Sequence, residues 1–162
     1  MVEATALRER ALAALENVTD PEIPVLTISD LGILRDVSVH DDTVEVTITP
    51  TYSGCPAMNM ITLDIQTALA RAGIKARVLT RLSPAWTTDW LTDAGRSKLA
   101  AFGIAPPEHT ASRRALFGEA HPACPHCGSA DTELISEFGS TACKSLHRCR
   151  ACREPFDAFK CH

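Results

Sequence analysis

The 162-residue sequence has no excess of basic charge: sixteen Lys and Arg stand against twenty Asp and Glu, for a net charge of −4. A protein held on nucleic acid by phosphate contacts needs cationic side chains to displace counterions, so no nucleic-acid partner is expected. No apolar run approaches the ~20 residues that a membrane-spanning helix requires. The opening stretch MVEATALRERALAAL carries charges among its apolar residues and so lacks the unbroken hydrophobic region of a secretory signal. There is no internal repeat, no low-complexity segment and no glycine-rich phosphate loop. A cytoplasmic protein with no membrane partner is the expectation.

Cysteine is scarce over most of the chain. Residues 1–104 hold only Cys55, and the other six lie between Cys124 and Cys161. In a reducing compartment, clustered thiols are metal ligands or reactive groups rather than disulfides. The charge divides with the cysteines: residues 1–104 carry nine basic and thirteen acidic side chains, and 105–162 carry seven of each. Between them, Ala105-Pro106-Pro107-Glu108-His109-Thr110 contains the paired prolines that stop a helix and extend the chain. These shifts predict a domain over 1–104, a linker over 105–120 and a second domain over 121–162.

The first part alternates helix and strand. Leu7, Ala11, Leu12, Ala14 and Leu15 form a helical stripe within Thr5 to Glu16. Ile33 to Val39 and Thr43 to Thr49 alternate with period two around His40-Asp41-Asp42, a hairpin pattern in which Val44, Val46 and Ile48 share one face. Met58 to Ala72 is a helix that stops at Gly73, Lys75 to Leu82 is a third strand, and Thr92 to Phe102 is a last helix packed by Trp86 and Trp90. The strand–helix–strand run demands a parallel pair. The expected fold class is therefore α+β: a small α-β-β-α-β-α domain with a mixed three-stranded sheet, then a C-terminal zinc ribbon.

The ribbon follows from two C-x-x-C turns, Cys124-Pro125-His126-Cys127 and Cys149-Arg150-Ala151-Cys152. An ion held at ~2.3 Å by four thiolates needs two tight turns brought together by a hairpin. Strand material lies at 133–138, 145–148 and 154–159. Cys124, Cys127, Cys149 and Cys152 are the expected ligands of one structural zinc, with iron or an iron–sulfur cluster as the alternative occupant of such a set. Lys144, Arg148, Arg150 and Arg153 are placed to offset its negative charge. With little apolar material in 120–162, this domain is expected to need its metal to fold. Cys143 and Cys161 are surplus: small buried apolar groups on one reading, additional ligands on the other. His126 lies within the first turn, and His162 ends the sequence. Where a knuckle often has glycine, Arg153 follows Cys152, which predicts strain in that turn.

Cys55 lies in Thr49-Pro50-Thr51-Tyr52-Ser53-Gly54-Cys55-Pro56, between a strand and a helix. Pro56 suits a first helical position. Cys55 is thus expected at the helix N-terminus, where the dipole and free amides would lower its pKa. It reads equally as a ligand or nucleophile and as a buried cysteine filling a turn. Asp20, Glu22 and Asp30 are carboxylates beside Pro or Gly, ordinarily turn chemistry. They become functional only if the fold brings their loops to Cys55. No general base accompanies Cys55, so a thiol enzyme is the weakest reading.

Asp20-Pro21-Glu22-Ile23-Pro24-Val25, Asp30-Leu31-Gly32-Ile33 and Thr49 to Pro56 together resemble the SufT-like family of iron–sulfur assembly proteins. That resemblance implies transient handling of iron or a cluster at Cys55, with Asp20 and Asp30 as neighbours. The domain order, with Phe138-Gly139-Ser140-Thr141-Ala142-Cys143-Lys144 and Phe159-Lys160-Cys161-His162 in the ribbon, resembles the PaaD-like (PaaJ-like) accessory subunits of the phenylacetyl-CoA 1,2-epoxidase system. This implies a non-catalytic role in aerobic phenylacetate degradation, beside a di-iron oxygenase and an iron–sulfur flavin reductase. Two alternatives stand next to it: a bridging subunit in which Cys55 is structural, and a general SufT-like cluster carrier.

Overall fold

The structure is a computed structural model and describes residues 2–108 and 121–160. It divides into two compact units, 1–86 and 87–162.

In the first unit, α1 (Val2–Leu15) is followed by β1 (Leu34–His40), β2 (Thr43–Ile48), α2 (Met58–Arg71) and β3 (Ala76–Thr80). The sheet order is β1-β2-β3, antiparallel between β1 and β2 and parallel between β2 and β3. The parallel pair is the one demanded by the strand–helix–strand run. Ile61, Ile65 and Leu69 recur at helical spacing and form the buried stripe of α2, which lies against β3. Val44, Val46 and Ile48 are fully buried, as the alternation of β2 predicts. Thr47 and Thr49 are buried too. Gly73, at φ +69°, ends α2: its N–H donates to Ala70 O, and that of Ile74 to Leu69 O.

The second unit holds a short 3₁₀ turn (Thr88–Trp90), α3 (Asp93–Ala101), β4 (Ile104–Ala105), β5 (Thr132–Ser136), β6 (Lys144–Cys149) and β7 (Pro155–Phe159). Its sheet runs β4-β7-β6-β5, antiparallel except for the parallel β4–β7 pair. Thr92 caps α3 by accepting the Gly95 N–H at 3.0 Å.

The unit boundary falls earlier than the sequence predicts, and α3 does not complete the first domain. Gly103, at φ +85°, turns the chain from α3 into β4, which adds to β7. Arg96 ties the same segment together by donating to Thr88 O and Pro107 O. A two-residue strand leaves no periodicity in a sequence, so this allegiance could not be read there. Ala105, the first residue of the expected linker, lies in β4, and 109–120 fall outside the described residues. Trp86 belongs to the first unit, donating its indole N–H to Leu31 O at 2.7 Å.

Candidate metal centre and thiol site

The ribbon thiols meet where the two turns face each other. The Sγ atoms of Cys124 and Cys152 are 3.7 Å apart and those of Cys127 and Cys149 are 3.5 Å apart. All four lie within 4.8 Å of one another. Four thiolates at 2.3 Å in a tetrahedron stand about 3.8 Å apart, so the sulfurs are already spaced for one ion. The two turns are built alike. Gly128 follows the first at φ +74°, and Arg153 occupies the same left-handed place after the second at φ +67°. The strain expected at Arg153 is present.

The sulfurs are unequal. The amide of Cys152, ahead of the Cys127 thiol, favours the Cys149 thiolate against burial, and Cys149 is lowered to about 7. At Cys152 the Glu154 amide also favours the thiolate, but burial and the neighbouring thiols of Cys149, Cys127 and Cys124 prevail, and it is raised to about 12. Without an ion, then, one proton leaves this set easily and another hardly at all. A cation binding here displaces protons.

Arg148 and Arg150 both engage Glu133 and so are already paired. His126 has its ring against Gly103. Cys143 is buried, 3.0 Å from the Thr141 hydroxyl, and is not part of the four-sulfur group. Cys161 and His162 lie outside the described residues.

The Cys55 turn leaves the carboxyl end of β2. Cys55 N–H donates to Tyr52 O at 3.2 Å, and its carbonyl accepts from Met58 N at 3.3 Å. The helix starts only at Met58, with Ala57 as its N-cap, so Pro56 precedes the helix instead of opening it. The expected lowering of the Cys55 pKa is reversed. Half-burial of the thiol pushes it up, and the negative charges of Asp20 and Glu22 push it further, against the Ala57 amide and the Thr51 hydroxyl. Cys55 rests as a thiol at neutral pH.

Asp20 and Asp30 both do turn chemistry. Asp20 Oδ1 accepts from the Glu22 and Ile23 amides at 2.7 and 2.9 Å. Asp30 and Thr27 each accept the other's backbone N–H, at 3.1 and 3.0 Å. Asp20 additionally acts on Cys55 across the fold, and so does Glu22. Glu22, expected to act only if its loop reached Cys55, brings charge to the thiol, and Thr51, not singled out in the sequence, offers it a hydroxyl. Their signal was there, since they flank Asp20 and Cys55 in the same two loops.

Comparison with known proteins finds a family model on each part of the chain. Residues 8–79 match the model of the iron-sulfur cluster assembly protein family, and 108–160 match that of the PaaD zinc beta ribbon domain. The chain is 49% identical over 150 residues to a putative 1,2-phenylacetyl-CoA epoxidase subunit of Escherichia coli, covering 92% of this chain and 90% of that one. This chain belongs to the PaaD family of phenylacetyl-CoA epoxidase subunits. A shorter match, 35% identical over 89 residues, covers 54% of the chain and 84% of the Fe-S protein maturation auxiliary factor YitW of Bacillus subtilis. Among solved structures, a Domain of Unknown Function DUF59 from Bacillus anthracis superposes with a TM-score of 0.56 at 25% identity, covering 60% of this chain and 95% of that one. The PaaD family thus joins an assembly-type fold to a metal-binding ribbon. No helix among the described residues is long and apolar enough to cross a membrane.

Proposed function

We propose that this chain is a cytoplasmic, non-catalytic maturation factor for a phenylacetyl-CoA epoxidase, which passes iron or an iron–sulfur cluster to a client subunit from the Cys55 turn. One observation carries the reading: Asp20 and Glu22 bring negative charge to a half-buried thiol at the carboxyl end of β2. A cation entering there gains from both carboxylates and displaces the thiol proton. One sulfur with two nearby carboxylates leaves coordination positions open. Such a site exchanges ligands faster than a closed tetrathiolate, so the iron moves to client ligands by substitution, without change of oxidation state. The ribbon then holds one resident zinc on Cys124, Cys127, Cys149 and Cys152. Zinc there supplies structure, and chemistry is left to the client. The clients are the di-iron oxygenase and the iron–sulfur flavin reductase of that system.

Anaerobic reconstitution with iron and sulfide tests this, read by metal analysis and absorption. Wild type is expected to gain iron beyond its zinc, and Cys55→Ser to keep the zinc and lose the extra iron. Equal iron uptake by both would remove Cys55 from the role. The turn-capping bonds of Asp20 and Asp30 and the raised thiol favour a second reading, a bridging subunit in which Cys55 only fills its turn. Full growth of a Cys55→Ala strain on phenylacetate would favour it.

A further inference from the structure

The four ribbon thiols differ in what covers them. Cys124 and Cys149 are buried and Cys152 is half-buried, whereas Cys127 is exposed, between the equally exposed His126 and Gly128. Among the described residues Cys127 is the one exposed cysteine, since Cys55 is half-buried and Cys143 is buried. Oxidation of a cysteine follows thiolate character and access. Coordination supplies the first, because a metal-bound thiol is deprotonated outright. The fold gives the second most fully to Cys127.

Another sulfur is within reach. Cys149 Sγ, from the opposite turn, lies 3.5 Å from Cys127 Sγ. Cys149 is also central to the sheet. With Cys124 it belongs to a buried core completed by Ala105 of β4 and by Phe156 and Ala158 of β7. It ends β6, which pairs with β7, which in turn pairs with β4. Its N–H donates to Glu154 O at 3.0 Å, across the turn that leads into β7. A change at this pair of sulfurs therefore reaches the whole sheet.

We infer that the ribbon is a peroxide-sensitive switch, in which Cys127 is oxidised first and Cys149 closes a disulfide onto it. The inference rests on the zinc assignment proposed above. The Cys127 thiolate attacks hydrogen peroxide: an S–O bond forms, the O–O bond breaks, hydroxide leaves and the sulfur becomes a sulfenic acid. The Cys149 thiolate then attacks that sulfur, forming the S–S bond and expelling a second hydroxide. Two thiolates have lost two electrons and the peroxide has gained them. The ion keeps its oxidation state but loses two of its four ligands, too few for a closed structural site. It is released and the small core around Cys149 opens. The first unit holds none of the four ligands, so its fold persists. Peroxide thus withdraws the ribbon and spares the Cys55 turn, until a thiol reductant and zinc restore it.

The test treats the full-length, zinc-loaded chain with stoichiometric hydrogen peroxide. Zinc release is read with a chelating dye, and the cysteines by peptide mass spectrometry. Wild type is expected to lose its zinc and gain a Cys127–Cys149 disulfide, both reversed by dithiothreitol with fresh zinc. Cys127→His keeps a zinc ligand and removes the exposed thiol, so it should hold its zinc through the same treatment. Cys143→Ala should release zinc as wild type does. If Cys127→His binds no zinc, the order of oxidation in wild type decides: first modification at Cys127 supports the switch, and first modification at any other cysteine overturns it. Zinc retained by peroxide-treated wild type, or released equally by Cys127→His, overturns the switch and leaves the maturation reading standing. Wild type isolated without zinc removes the zinc assignment and the switch together.

Discussion

Asp20 and Glu22 belong to one turn, and both bring negative charge to the Cys55 thiol. Because a nearby anion disfavours the thiolate, removing one should make Cys55 more reactive. Glu22→Gln is expected to speed iodoacetamide labelling of Cys55 at pH 8, read by peptide mass spectrometry. In wild type, labelling should keep rising as pH passes the ordinary thiol value. A slower or unchanged Glu22→Gln would mean that Glu22 does not act on the sulfur. Arg153 offers a separate test. A left-handed residue with a side chain costs roughly 1–2 kcal/mol. Glycine relieves this but returns about 0.4–1 kcal/mol through the unfolded chain. Arg153→Gly should therefore melt at or slightly above wild type in the metal-loaded state, and the β-branched Arg153→Val below it. The reverse order would remove the strain argument.

Among the elements, α3 and β4 are the ones whose allegiance matters. β4 is held by β7, and β7 by β6, which ends on Cys149. Stripping the metal should thus release more than the two turns. Hydrogen exchange on chelator-treated protein is expected to show β6, β7, β4 and α3 losing protection together, while α2 and β2 keep theirs. Those two carry no metal ligand and rest on Ile61, Ile65, Leu69 and Val44. Persistent protection of β4 and α3 after metal loss would show that they fold without the ion. The helices and the longer strands were readable in the sequence to within a few residues, because each has a full period of buried side chains. β4 was not, since two residues make no pattern and only the free edge of β7 makes them a strand.

For the molecule as a whole, the sequence by itself determined the order of elements, the parallel β2–β3 pair and the four-thiolate set. Apolar periodicity and C-x-x-C spacing are local properties, and each forces its structure within a few turns of chain. What surrounds a residue from a distant segment was decided by tertiary structure alone. Cys55 looked like a helix-terminal thiolate, because Pro56 follows it. Folding delayed the helix to Met58, half-buried the sulfur and brought the charge of two carboxylates to bear on it, so the direction of its pKa reversed. Arg148 and Arg150 looked free to balance the metal, until β5 paired with β6 and placed Glu133 between them. Cys143 read in the sequence either as a small buried group or as a spare ligand, and its burial beside Thr141 came only with the fold. Electrostatics and burial depend on which chain segments meet, and only the closed sheet and its loops fix that.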